Sequence, residues 1–204
     1  MLTTYLAVYL TELLSAAVLW FPVLAVLGIV FRRRISRVRM ALCLLLAAYL
    51  TLVLSIVGFP RITELTLDVS CSFVPFADIV TAGKRYIILS ALNILLFVPF
   101  GMLVPLLWEK FRSLKKMTLL GFSASLFIEV MQLFTFRATD VDDLIMNTLG
   151  TMLGYWIMSR MIRLGRLGRL SPDSWDGARW ELPVIAGLVL VSVFFVQPFV
   201  VVLF

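Results

Sequence analysis

Apolar residues run along this chain in six long blocks separated by short polar interruptions. The blocks are Tyr5–Phe31, Met40–Gly58, Tyr86–Trp108, Met117–Phe136, Leu144–Met161 and Leu182–Phe204. None alternates as a half-buried strand would, and each is close to the roughly 20 residues that cross a bilayer core as a helix. In hydrocarbon, a spanning segment has to satisfy its own backbone polar groups, which leaves helices or closed barrels, and barrel strands are half as long. The pattern therefore predicts an all-α, polytopic bundle of about six transmembrane helices, one transmembrane domain over residues 1–204.

Composition removes the soluble alternative. Apolar residues make up 62% of the chain and charged residues 15%, against about 45–50% and 25% in soluble domains. Such a surplus has to be solvated by lipid. The sequence contains no histidine, which excludes imidazole bases, Ser-His-Asp triads and histidine-ligated zinc or haem. Cys43 and Cys71 lie far from any CxxC spacing, so thiol redox and cysteine zinc sites are excluded too.

The net charge of +6 would suit nucleic acid, but its distribution points to a membrane. Nothing basic precedes the first block, and Arg32, Arg33 and Arg34 follow it. That asymmetry predicts a retained span rather than a cleaved signal, with the N-terminus outside. Alternating from there, loops 32–39, 109–116 and 160–181 face inward with 14 Lys and Arg, and loops 59–85 and 137–143 face outward with 4. Both termini are then outside, in a multi-pass protein of the cell membrane whose general partners are lipids and not nucleic acid. Cys43 and Cys71 fall at opposite faces, too far apart for a disulfide. The tract Arg160–Leu170 (RMIRLGRLGRL) reads either as an anionic-lipid headgroup site or as a plain juxtamembrane basic stretch. Trp175 and Trp180 suit interfacial anchoring.

Polar residues inside the blocks are costly, so each needs a partner or a purpose. Asn93, Glu129, Gln132 and Asn147 come from three different blocks. By residue count all lie within about 10 Å of the outer surface. Glu129 and Gln132 share a helix face. Asp143, Asn147, Gly150 and Gly154 form one stripe down the fifth helix, with Thr151 and Met152 off it. Glycines there allow close backbone approach, most simply to the fourth helix across the short link 137–143. That link holds Arg137, Thr139, Asp140 and Asp143, with Thr139 and Asp140 as N-cap candidates and acids at the positive helix end. Two accounts stay open: a polar network that staples a hairpin, or an outward-facing pocket.

Pro99 predicts a kink in the third helix. The apolar stretch Cys71–Val80 in the first outer loop suits a lid over the polar cluster, and Glu12 stands alone in the first block.

The chain resembles the VanZ-like family, known from teicoplanin resistance. The resemblance is carried by Phe73-Val74-Pro75-Phe76, by Asn93 through Gly101 (Asn-x3-Phe-x-Pro-x-Gly), by Glu129-x2-Gln132, and by Ala138-Thr139-Asp140 through Asp143, Asn147 and Gly150. Together these cover residues 73–154, the family-like core, and Arg137 fits a position often basic in the family. The resemblance implies an envelope protein that lowers susceptibility to teicoplanin, a lipoglycopeptide that binds peptidoglycan precursors outside the membrane.

The residues then assign ligand binding to Asn93, Glu129, Gln132, Arg137, Asp140, Asp143 and Asn147. The favoured reading is a non-enzymatic protein holding a lipid-linked wall precursor or a lipoglycopeptide in an outer-leaflet pocket. No catalytic residue, metal ligand or cofactor is assigned. The alternatives are an enzyme acting on a lipid phosphate, with Asp140, Asp143 and Glu129 holding Mg²⁺, and a transporter, which calls for inverted repeats.

Overall fold

The computed structural model describes residues 2–30, 36–67, 71–72, 76, 79–135, 139–165 and 180–202. Helices α1 (Leu2–Val30), α2 (Arg37–Val57), α3 (Ile79–Leu107), α4 (Leu114–Gln132), α5 (Val141–Arg163) and α6 (Glu181–Val191) follow in order. A π-helical turn, Ser192–Val196, joins α6 to α7 (Gln197–Val201). Each of the six apolar blocks falls on a helix. A 3₁₀ turn, Glu109–Phe111, lies between α3 and α4, and β1 (Cys71–Ser72) pairs in parallel with β2 (Thr139–Asp140).

Among the described residues, four helices are long and apolar enough to cross a membrane: Ala7–Ile29, Arg37–Val57, Gly83–Leu107 and Glu181–Val201. The chain is a helical membrane protein. The polar load of the remaining two keeps them out of that set. α4 carries Lys115, Lys116 and Glu129, and α5 carries Asp142, Asp143, Asn147 and Arg160.

Local chemistry accounts for the helix limits. The Ser36 side chain accepts from Arg39 N at 3.2 Å and caps the start of α2. Its end is closed by Gly58 at φ 70, with Gly58 N donating to Ser55 O and Phe59 N to Leu54 O. This double bond with a buried Phe59 beyond it is the Schellman arrangement. At α5, Asp140 caps the first turn, acids follow at Asp142 and Asp143, and Arg160 and Arg163 sit in the last turn. The helix dipole favours that order of charges.

The helices form two compact units, Met1–Leu65 with Pro172–Phe204, and Thr66–Ser171. In the first unit α1 packs on α2 and on the C-terminal helices. Its core includes Ala16, Trp20, Leu24, Leu46, Ala47 and Ile185, and Cys43 is buried there as a small core residue. Arg39 in α2 is also buried, in a two-pronged pair with Glu181 at the start of α6. Glu12 is not alone; it pairs with Arg61, just past the end of α2.

In the second unit the main packing is α3 against α5, with α4 against α5 next. This corrects the expectation that the glycine stripe meets α4. A Cβ on Gly150 would collide with the Ile94 carbonyl oxygen, and one on Gly154 with that of Val98, both on α3. Small residues on both sides explain the choice, because Gly101 of α3 lies as tightly against the Thr151 carbonyl. Thr151 is therefore not off the packed face: it is fully buried, with its side chain against Gly121 of α4. Helical dihedrals continue through Pro99 and Pro105, and the non-helical residue within α3 is Gly83 (φ 48, ψ −120).

Candidate functional site

The N-terminal end of α5 is the hub of the polar residues in the second unit. Asp140 uses both ends of its residue. Its side chain accepts from Asp142 N at 2.9 Å, and its backbone N donates to Glu129 Oε2 of α4 at 3.0 Å. Asp143 accepts from Asn93 Nδ2 of α3. One turn further along α5, Asn147 Nδ2 donates to Ser125 Oγ of α4 at 2.9 Å, and Thr151 Oγ1 donates to Asn147 O. Residues from three helices thus meet, as their shared depth in the sequence predicts.

Their faces explain the meeting. Ser125, Glu129 and Gln132 lie at i, i+4 and i+7 on the buried side of α4. On α3, Tyr86 and Asn93 are two turns apart on one side. Glu129, Gln132, Asp142 and Asn147 are buried, whereas Asn93, Asp140 and Asp143 are half-buried. The Asn147 Oδ1 atom has no hydrogen-bond partner among the described residues. Arg137, assigned to the site from the sequence, lies outside the described residues, as do Phe73-Val74-Pro75 and Ala138 of the motifs and the stretch 166–179 of the basic loop.

Three contributors went unassigned in the sequence. Asp142 is the first; its carboxylate accepts from Phe76 N at 3.0 and 3.1 Å and from the Tyr86 hydroxyl at 2.8 Å. Phe76 holds a left-handed backbone (φ 62) at that point, a conformation rare for a bulky residue and a sign of tethering by its surroundings. Together with the β1–β2 pairing, Asp142 ties the long loop before α3 to the start of α5. Thr66 N, donating to Phe134 O, ties the front of the same loop to the end of α4. The other two are Tyr86 and Ser125. Both could have been found by stepping seven residues back from Asn93 and four back from Glu129 on the same faces.

The acids act here as acceptors for backbone, amide and phenol donors. Among the described residues, no three His, Cys, Asp or Glu side chains are grouped so as to hold a metal ion.

The profile of the VanZ/LLP1 family matches residues 40–163, more than half of the chain. The chain belongs to the VanZ/LLP1 family. The match runs from α2 through α5, so every residue of the polar network is inside the VanZ/LLP1 portion, and α1 and α6 lie beyond it. No curated protein and no solved structure matches the chain.

Proposed function

We propose that the network at the start of α5 forms the floor of a ligand pocket in the outer leaflet. The protein is then a non-enzymatic envelope protein that binds a lipid-linked or lipidated molecule there, a wall precursor or a lipoglycopeptide. The observation that carries this reading is the unanswered Asn147 Oδ1, 3% exposed at the base of half-buried Asn93 and Asp143. A staple that only joins helices has every reason to satisfy its members, since an unpaired buried polar group costs about 1–3 kcal/mol. A polar ligand entering past Asn93 and Asp143 would supply the missing donor. The anchored loop before α3 supports the same reading, as a cover held at Phe76.

In this reading Glu129 and Asp140 set the shape of the floor, Asn93, Asp143, Asn147 and Gln132 face the ligand, and Arg137 supplies positive charge for a phosphate. The bundle crosses the cell membrane six times with both termini outside, following the positive-inside distribution. Membership of the VanZ/LLP1 family makes protection against teicoplanin the phenotype to seek. No specific observation favours an enzyme on lipid phosphate or a transporter.

The test is expression in a teicoplanin-sensitive Gram-positive host. Wild-type protein is expected to raise the inhibitory concentration of teicoplanin-type lipoglycopeptides. Asn93→Ala and Asp143→Asn, at wild-type abundance, are expected to return it to baseline. Full protection by both variants would refute the pocket.

A further inference from the structure

The first unit, made of α1, α2 and the C-terminal helices, holds buried polar atoms of its own. Glu12 pairs through Oε1 with Arg61, but its Oε2 is buried with no partner among the described residues. Ser15 follows at i+3 on the same face of α1, fully buried, with its hydroxyl equally unanswered. In the C-terminal helix, Ser192 and Gln197 are both fully buried, and Ser192 Oγ and Gln197 Oε1 are unanswered too.

The π-turn makes the second half of this set. Residues five apart in an α-helix point roughly 140° apart. Here Gln197 N donates to Ser192 O, a five-residue step that narrows the angle between the two side chains. Single π-turns of this kind recur at functional sites. The turn also frees Phe194 O, which accepts from Ile62 N at 3.1 Å. Arg61 and Ile62 are consecutive, so one short stretch of loop grips Glu12 on one side and the π-turn on the other. α1 packs on both the π-turn and α7. Gln197 Nε2 reaches Ser55 Oγ of α2 at 3.4 Å, closing the third side. Trp20 Nε1 is unanswered as well, but it lies about 12 Å further along α1 from Glu12 and is a donor.

We infer that these oxygens form a binding site for a monovalent cation, sodium, between α1, α2 and the π-turn of the C-terminal helix. The unanswered atoms are a carboxylate oxygen, an amide oxygen and two hydroxyls. All four present lone pairs, and the Glu12 carboxylate and the Gln197 amide oxygen can only accept, so the set favours a cation over an anion. Hard oxygens without sulfur or imidazole do not suit a soft transition metal. A single carboxylate shared with Arg61 carries too little charge for a calcium site, which collects several. Sodium held by hydroxyls and carbonyls beside an irregular turn in a membrane helix matches this chemistry. The site's unanswered oxygens lie outside the family match, in α1 and the C-terminal helix.

The experiment is thermal unfolding of the purified full chain in detergent, in sodium, potassium or choline chloride at equal ionic strength. A ligand that binds the folded state alone raises the melting temperature with concentration. Sodium is expected to raise it saturably by several degrees over choline, and potassium by less. The double change Ser15→Ala and Ser192→Ala, which removes two ligands with little change of volume, is expected to melt as wild type in choline and to lose the sodium increment. Should that variant fail to fold, Glu12→Gln is expected to lose the increment instead. Asp143→Asn, in the other unit, is expected to keep it. Retention of radioactive sodium by wild type, lost in the same variants, is the second readout. Equal melting in all three salts would mean that the oxygens hold only water, and would overturn the proposal. A sodium increment that survives the ligand changes, or one that potassium matches, would overturn it too.

Discussion

Two ion pairs show how burial decides what a charge is worth. Arg39 and Glu181 are 3% and 15% exposed at their side chains, with the guanidinium engaging both carboxylate oxygens. Removing one partner strands the other charge away from water, at a cost of about 3–5 kcal/mol. Glu181→Leu is expected to lose the fold or a large part of its stability, measured by detergent melting. Arg112 with Glu109 is the contrast, an i,i+3 pair with Glu109 65% exposed. Glu109→Gln should cost less than about 1 kcal/mol. Asp142 poses a different question, because it answers two donors at once. Asp142→Ala removes the acceptor of Phe76 N and of the Tyr86 hydroxyl and is expected to speed amide exchange at Phe76 about tenfold or more, an opening of the loop anchor. Unchanged exchange there would mean that the β1–β2 pairing alone holds the loop. At this scale the sequence was only half legible. Depth picked out Asn93, Glu129 and Asn147, but it could not say which of two adjacent acids, Asp142 or Asp143, holds the loop and which meets α3. That choice depends on a 100° rotation per residue around a helix whose neighbours are set by tertiary packing.

The helices themselves were legible, because apolar length and capping residues are local properties. Their partners were not. The short link between the fourth and fifth apolar blocks made α4 the obvious neighbour for the glycine stripe, yet Gly150 and Gly154 rest on carbonyls of α3. Backbone contact needs small residues on both helices, and α3 supplies Gly101 where α4 supplies Gly121 against a side chain. Gly154→Leu and Gly101→Leu are therefore expected to destabilise the second unit by about 3 kcal/mol or more, since backbone cannot yield as a side chain does. Met152→Leu, half-buried and close in volume, should cost less than about 1.5 kcal/mol. Equal melting of the Gly154 and Met152 variants would show that α3 and α5 are not in backbone contact. Thr151→Leu belongs with the damaging changes, contrary to its place off the stripe in the sequence pattern.

The whole chain is a helical membrane protein of the VanZ/LLP1 family. Overall charge supplies a direct test of orientation. With Cys43 and Cys71 replaced, a cysteine at Glu64 is expected to react with an impermeant maleimide in intact cells, and one at Leu164 only after permeabilisation. Both positions are exposed. The reverse pattern would put the network at the cytoplasmic face and remove any role in the outer leaflet. The central claim, that the network receives a ligand rather than only joining helices, is tested most directly by binding. Purified wild-type protein should bind a lipid-linked wall precursor or a lipoglycopeptide saturably in detergent. Asn93→Ala and Asp143→Asn should melt within a few degrees of wild type and lose that binding by tenfold or more. Well-folded variants that bind as tightly as wild type, or a wild-type protein that binds neither molecule, would contradict it.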